Sequence, residues 1–246
     1  MIPYLRFGKG RAYNMSKHMI DVEVKNKELL NILNRYSRFL TEDKESFEDD
    51  FHLACQEHKD QRHFLAGEGH LNEIVEQGER HEGFPDQMYG YELTVSRKNH
   101  QFFSEDCHPT QRLERTSELG VMQTEIMEWL GVRTCALTAY YPPGGFISWH
   151  NNANAAAYNL IFTWSEEGTG QFNYRDPTTK EIVEMPDKKG WQCKAAYFGH
   201  YGEPERLMYH TAKTDCWRCT VSFTFDTQDL SEVLRHDLIE EISSEE

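Results

Sequence analysis

Two histidines, an arginine and a threonine hold the most chemically suggestive spacing in this chain. His150 lies in FISWHNNAN, His210 in MYHTAKTD, and Arg218 and Thr220 in CWRCTVSFTFD. In a strand, residues i and i+2 face the same side. Ser148, His150 and Asn152 are therefore expected to point together, with Ile147 and Trp149 turned the other way. If that polar side lines an interior, His150 and Asn152 can share one metal ion. His210 and Arg218 flank the turn KTD at symmetric intervals. A hairpin centred near Thr214 would set them opposite each other. An arginine inside a core is costly unless it is compensated, and a bound dicarboxylate would supply the anion with bidentate geometry. Thr220 shares the face of Arg218 and adds a second donor. The residue types point to a metal centre with an anionic ligand beside it.

The stretch that carries these residues, 133–226, has the texture of short alternating strands broken by Gly, Pro and Asp turns. Eight strands are expected, at about 133–141, 145–152, 157–164, 170–175, 180–185, 191–198, 207–212 and 216–226. That number at that spacing suggests a double-sheet jelly roll. Residues 1–132 read as mainly helical, packed on one outer face. Asn26 is the expected N-cap of a helix over 27–40, with Leu29, Leu33, Tyr36 and Leu40 on one stripe. A second helix is expected to open at Thr41 and a short one to cover 71–77. A last helix, starting at Ser117, has Gly131 as its C′ residue. Loose alternation within 1–24 and LTVSR at 93–97 are candidate edge strands. Residues 227–246 form an acidic C-terminal helix or tail; its end, DLIEEISSEE, is expected to fray. The fold class is α+β.

The chain has 246 residues and a net charge of -15, enough length for a sizeable core. Residues 1–132 and 133–246 are both acidic, which disfavours nucleic acid as a partner. No apolar run is long enough to span a bilayer, and MIPYLRFGKGR lacks the apolar stretch of a signal peptide. A soluble cytoplasmic protein is expected. The six cysteines show no disulfide spacing. Cys216 and Cys219 form a C-x-x-C that reads as two strand residues on opposite faces rather than half of a zinc site. The histidines outside the motif, among them His18, His70 and His81, read as surface or capping residues. His200, in FGHYGEPE, is a weaker candidate for a substrate contact. Trp164 and Tyr174 could shape access to an interior site, although core aromatics are the simpler reading.

With these residues in place, the stretch 133–226 resembles the core of the iron(II)/2-oxoglutarate-dependent oxygenases, a double-stranded β-helix of cupin-like, jelly-roll type. In that superfamily H-x-D/E and a distal His hold iron, and an Arg, often in R-x-S, holds the far carboxylate of 2-oxoglutarate. The resemblance implies Fe(II) at His150, Asn152 and His210, and 2-oxoglutarate at Arg218 and Thr220. The segment LTAYYPPGGFISWH is similar to the N-x-Y-x-x-G…H strand of the alkylation-repair dioxygenases, which implies Tyr141 as a further 2-oxoglutarate contact. The implied reaction is hydroxylation of a small-molecule or peptide substrate, with release of succinate and CO2. This sequence departs from the family at Asn152, where a carboxylate is expected. Glu166 and Asp176 are the loop carboxylates that could stand in. Two alternatives follow from the departure. One is halogenation or another iron-dependent oxidation permitted by a neutral ligand. The other is a cupin-like binding protein without turnover.

Overall fold

A computed structural model describes residues 18–42, 44, 56–93, 112–132, 134–225 and 230–245. The described elements run in the order β1 (Met19–Val22), α1 (Lys27–Glu42), α2 (Gln56–Leu65), α3 (Glu68–Gln77), β2 (Met88–Tyr89), β3 (Tyr91–Glu92) and α4 (Arg112–Leu130). Eight strands follow: β4 (Thr134–Tyr141), β5 (Phe146–His150), β6 (Ala157–Ser165), β7 (Gly170–Arg175), β8 (Ile182–Pro186), β9 (Gly190–Phe198), β10 (Tyr209–Thr214) and β11 (Arg218–Phe225). Helix α5 (Leu230–Ile242) ends the described chain. These are the eight strands read from the alternation, with ends shifted by a few residues.

The strands form two antiparallel sheets, compatible with the expected jelly roll. One has the order β1-β9-β6-β11-β4-β3, the other β2-β5-β10-β7-β8. The three short strands before α4 cap sheet edges: β1 pairs with β9, β3 with β4 and β2 with β5. An edge strand leaves unpaired backbone groups, so covering it removes a site of unwanted pairing. The edge strand expected within 1–24 is β1. Of the LTVSR candidate, only Leu93 lies within the described residues.

The helices cover both sheets, not one face as expected. Asn26 caps α1 through Oδ1, which accepts the Leu29 N–H at 3.1 Å. Leu29, Leu33, Tyr36 and Leu40 are buried. On this side Tyr36 meets Trp191 of β9 edge-on, and Trp191 Nε1 donates to Ser37 Oγ. Helix α4 begins before Ser117 and stops where predicted: Gly131 has φ 67, and the N–H of Val132 returns to Met127 O. On the other sheet, Leu71 and Ile74 of α3 pack against Trp149 and Tyr209. The helix expected from Thr41 falls largely outside the described residues. Among the described residues the C-terminal segment is helical as far as Ile242 rather than frayed. Leu238, Ile239 and Ile242 are buried, and Ile242 O accepts the N–H groups of Lys25 and Asn26. These three residues share one helical face, which suffices to dock the segment. Among the described residues no helix is long and apolar enough to cross a membrane.

Candidate functional site

Strands β5 and β10 are neighbours, and their pairing sets His210 directly against His150. The ring centroids are 4.1 Å apart. Each ring is held by the carbonyl two residues back: His150 Nδ1 lies 2.8 Å from Ser148 O, and His210 Nδ1 lies 3.2 Å from Met208 O. A carbonyl can only accept, so Nδ1 carries the proton in both rings. The Nε2 of each neutral imidazole then carries a lone pair that can accept a hydrogen bond or bind a metal. His210 is also stacked between Phe198, at 4.3 Å, and Phe172, at 5.6 Å. Burial pushes the pKa of His210 down to about 4. Burial, and then the neighbouring His210, hold that of His150 well below its ordinary value. Both rings are therefore neutral at pH 7, the form in which imidazole binds a metal.

The simple alternation expected around His150 does not hold. His210 faces His150 while Ala212 faces Ile147, so two steps on β10 span three on β5. This is a β-bulge, which re-aims side chains locally. It brings Ile147 to the cavity side with His150 and leaves Trp149 packed on α3. Asn152 lies beyond the end of β5, at φ 54. Asparagine tolerates that left-handed region better than most residues. The N–H groups of Asn151 and Asn152 both donate to Gly83 O, at 3.3 and 2.7 Å. The Asn152 amide then stands 3.4 Å from His210 Nε2. It reaches the histidines by this loop, not by sharing a strand face.

The expected hairpin between His210 and Arg218 is not formed. β10 pairs with β5 and β7, whereas β11 pairs with β4 and β6 in the other sheet. The chain crosses between sheets at 215–217, so the two residues reach the interior from opposite layers. Arg218 is buried and compensated within the protein. Its Nε donates to Asp187 Oδ2 at 2.7 Å, Nη1 to Thr220 Oγ1 at 2.6 Å and Nη2 to Thr163 Oγ1 at 3.4 Å. Burial opposes its charge most strongly, but Asp187, together with Tyr141 and Cys219, offsets that and raises its pKa. Lys194 Nζ stands 3.7 Å from the other oxygen of Asp187. Tyr141, the partner of Arg218 across β4 and β11, has its ring 5.8 Å from the guanidinium. The arginine that looked uncompensated in sequence therefore has a protein carboxylate.

Tyr141, His150, Asn152, His210, Arg218 and Thr220 all line one cavity of about 110 Å³, with both sheets contributing. Much of the remaining lining is apolar, including Met88, Ile147, Ile161, Phe172 and Phe198. A larger groove of about 710 Å³ lies between α2, α3 and the outward side of the β5 sheet. It takes in Arg62, Glu68, Glu184 and Lys213 but neither histidine of the pair, so size does not locate the chemistry.

The other sequence candidates lie elsewhere. Glu166 is paired with Lys44 at 2.9 Å. Asp176 accepts the N–H groups of Thr178 and Thr179 in its own turn. Among the described residues, no Asp, Glu or Cys completes a three-ligand cluster with the two histidines; the single such cluster, His236, Asp237 and Glu240, is exposed on α5. His200 is exposed beside Glu203. Trp164 and Tyr174 pack with the core. Cys216 and Cys219 are buried free thiols. His70 and His81 are not surface residues: both are buried and flank Asp86 at 3.4 and 3.5 Å. Sequence reasoning missed these two, and also Asp187 and Lys194. Asp187 reads as a turn residue in MPDKKG, and a lysine on a strand reads as solvent-facing.

No known protein-family profile and no curated protein matches the chain. Among solved structures, the chain is similar to a crystal structure of a Pseudomonas putida prolyl-4-hydroxylase. The two are 15% identical, with 63% of this chain and 83% of that chain covered and a TM-score of 0.28. A likeness at that score carries no argument, and the functional reading rests on the residues.

Proposed function

We propose that the chain is an iron(II)- and 2-oxoglutarate-dependent oxygenase. Its core, residues 133–226, is a double-stranded β-helix, covered by residues 1–132 and closed by the C-terminal helix in 227–246. The observation that carries this reading is the pair of neutral histidines, both held at Nδ1 by backbone carbonyls. They open on the same cavity as an arginine and its threonine. A metal-bound imidazole commonly donates its second ring N–H in this way. The strand order supports the fold: β4, β6, β9 and β11 are central to one sheet, and β5, β7, β8 and β10 make up most of the other.

The donor set fits the metal. His150 and His210 hold it through Nε2, and Asn152 through its amide oxygen. Turning that amide by half a rotation exchanges its nitrogen and oxygen in place. Tyr141, Arg218 and Thr220 hold 2-oxoglutarate. When bound, iron(II) and 2-oxoglutarate supply oxidative decarboxylation, to succinate and CO2, coupled to oxidation of a substrate C–H bond by dioxygen. The chain's own part is positioning and exclusion of water. Stacking on Phe198 and Phe172 fixes His210, the carbonyl of Ser148 fixes His150, and the apolar lining keeps the interior dry. The substrate is a small molecule or a peptide, since a net charge of -15 repels long nucleic acids.

The test is iron content together with succinate release. His150→Ala and His210→Ala are each expected to lose iron by elemental analysis and to stop succinate formation, with the circular dichroism spectrum kept. Full iron retention in both variants would end the metal-site reading. A wild-type protein that binds iron yet turns over no 2-oxoglutarate would leave the cupin-like binding protein in its place.

A further inference from the structure

Lys194 is a lysine placed inside the fold. It lies on β9 four residues before Phe198, on the same strand face, and opposite Ile161 of β6; Phe198 and Ile161 both line the cavity. Three charged side chains thus meet with almost no solvent: Arg218 and Lys194 are each 1% exposed and Asp187 is 0%. Asp187 bridges the two cations, at 2.7 Å to Arg218 and 3.7 Å to Lys194. Its Oδ1 has no hydrogen bond among the described residues. Two cations and one anion leave an excess of one positive charge. An uncompensated buried charge is costly, and the cavity beside Arg218 is where a compensating anion can enter. Asp187 also takes the guanidinium's Nε edge, while Nη1 meets Thr220, a residue of the cavity wall. The arginine is thereby oriented before any ligand arrives.

We propose that Asp187 and Lys194 set the charge of the pocket: with Arg218 they form a buried site of net charge +1 that accepts a single carboxylate, the distal one of the co-substrate. Both are positioning residues behind Arg218. The inference rests on the reading of Arg218 as the partner of 2-oxoglutarate. Without Lys194, the Arg218–Asp187 pair is neutral and exerts little net attraction on an anion. Without Asp187, two cations face the ligand. With both neutralised, the charge returns to +1.

The experiment compares 2-oxoglutarate with 2-oxopentanoate, which keeps the keto acid end and lacks the distal carboxylate. Affinities are read anaerobically from the charge-transfer absorption each gives with the iron(II) protein. The ratio of the two isolates the distal carboxylate. In the wild type it is expected to be about 100-fold or more. In Lys194→Met it should fall by about tenfold or more, with 2-oxopentanoate unchanged. Asp187→Asn should raise it, and the double variant D187N/K194M should come back to within about threefold of wild type. A purely structural role would instead weaken both ligands, and the double variant would be worse than either single one. An unchanged ratio in Lys194→Met, whose methionine fills the same space without charge, overturns the proposal even if the Asp187 variants fail to fold. If the wild type gives no signal with 2-oxoglutarate, the oxygenase reading is what fails. The charge set is then judged on metal-free protein with glutarate as probe. A rise in Tm for the wild type but not for Lys194→Met upholds it, and no rise in the wild type overturns it.

Discussion

The carbonyls of Ser148 and Met208 each take the Nδ1–H of the histidine two residues further on, and that choice of tautomer leaves a lone pair on both Nε2 atoms. Asn152 is the residue that then decides the ligand set. Its amide is neutral, so a centre built on it has one negative charge fewer than one built on a carboxylate. Asn152→Asp restores that charge at nearly the same volume, and a charged oxygen suits iron(II) better than an amide. Iron affinity, measured by competition with a chelator, is expected to rise by about tenfold or more. A hydroxylase keeps its product under this change. A halogenase loses chloride incorporation, because the carboxylate takes the halide's place. Equal iron affinity in wild type, Asn152→Asp and Asn152→Ala would remove Asn152 from the ligand set.

Among the elements, β7 carries a requirement that its first residue reveals. A Cβ on Gly170 would lie 2.3 Å from Asp187 Oδ2, 3.2 Å from Thr214 Oγ1 and 3.3 Å from Arg218 Cδ. Asp187 is held there from two directions, since its N–H donates to Gly170 O and its carboxylate receives Arg218 Nε. The bare glycine is what lets β7 approach the buried ion pair. Gly170→Ala is expected to destabilise the protein by about 1–3 kcal/mol, the usual scale for overpacking a core. It should weaken 2-oxoglutarate binding as well, by displacing the carboxylate that orients Arg218. Chemical denaturation checks the first effect. An unchanged midpoint would mean that Asp187 can move aside freely.

For the whole molecule, the two buried imidazoles make stability depend on pH. Burial lowers the pKa of both below the ordinary histidine value, that of His210 from 6.5 to about 4. The unfolded chain therefore binds protons that the folded chain refuses between those limits. The stabilising contribution is complete above about pH 6.5 and is lost as pH falls toward 4. Each pKa unit corresponds to about 1.4 kcal/mol, so His210 alone accounts for roughly 3 kcal/mol. Denaturation of metal-free protein at steps across this window should show the loss. It should be smaller in His210→Gln, whose amide does not titrate. A wild-type stability flat from pH 7 to 4.5 would mean that neither ring is buried in the neutral form.

The eight core strands were legible in the sequence because alternation and turn residues are local: i and i+2 share a face whatever the rest of the chain does. The same holds for α1, whose start is decided by the Asn26 cap and whose buried stripe recurs at helical spacing. The chemical types that gather in the cavity, two histidines, an amide, an arginine and its threonine, were also legible, but the shared strand face expected for Asn152 and the hairpin expected for Arg218 are not how the fold brings them there. What the sequence could not carry was decided by packing between layers. The bulge in β5 breaks the alternation and brings Ile147 in beside His150. The crossing at 215–217 puts His210 and Arg218 in different sheets, because the ladder partners of β10 and β11 come from strands remote in sequence. The C-terminal helix docks because the segment leading into α1 bonds to its last carbonyl and the core takes in its apolar face, which acidic composition alone does not reveal. Asp187 and Lys194 are the clearest case. Each is an ordinary surface type in its local context, and only the closing of one sheet over the other takes both out of water and sets them against Arg218. Charge type is written in the chain, but the loss of solvent that gives a buried charge its energetic weight is a property of the assembled fold.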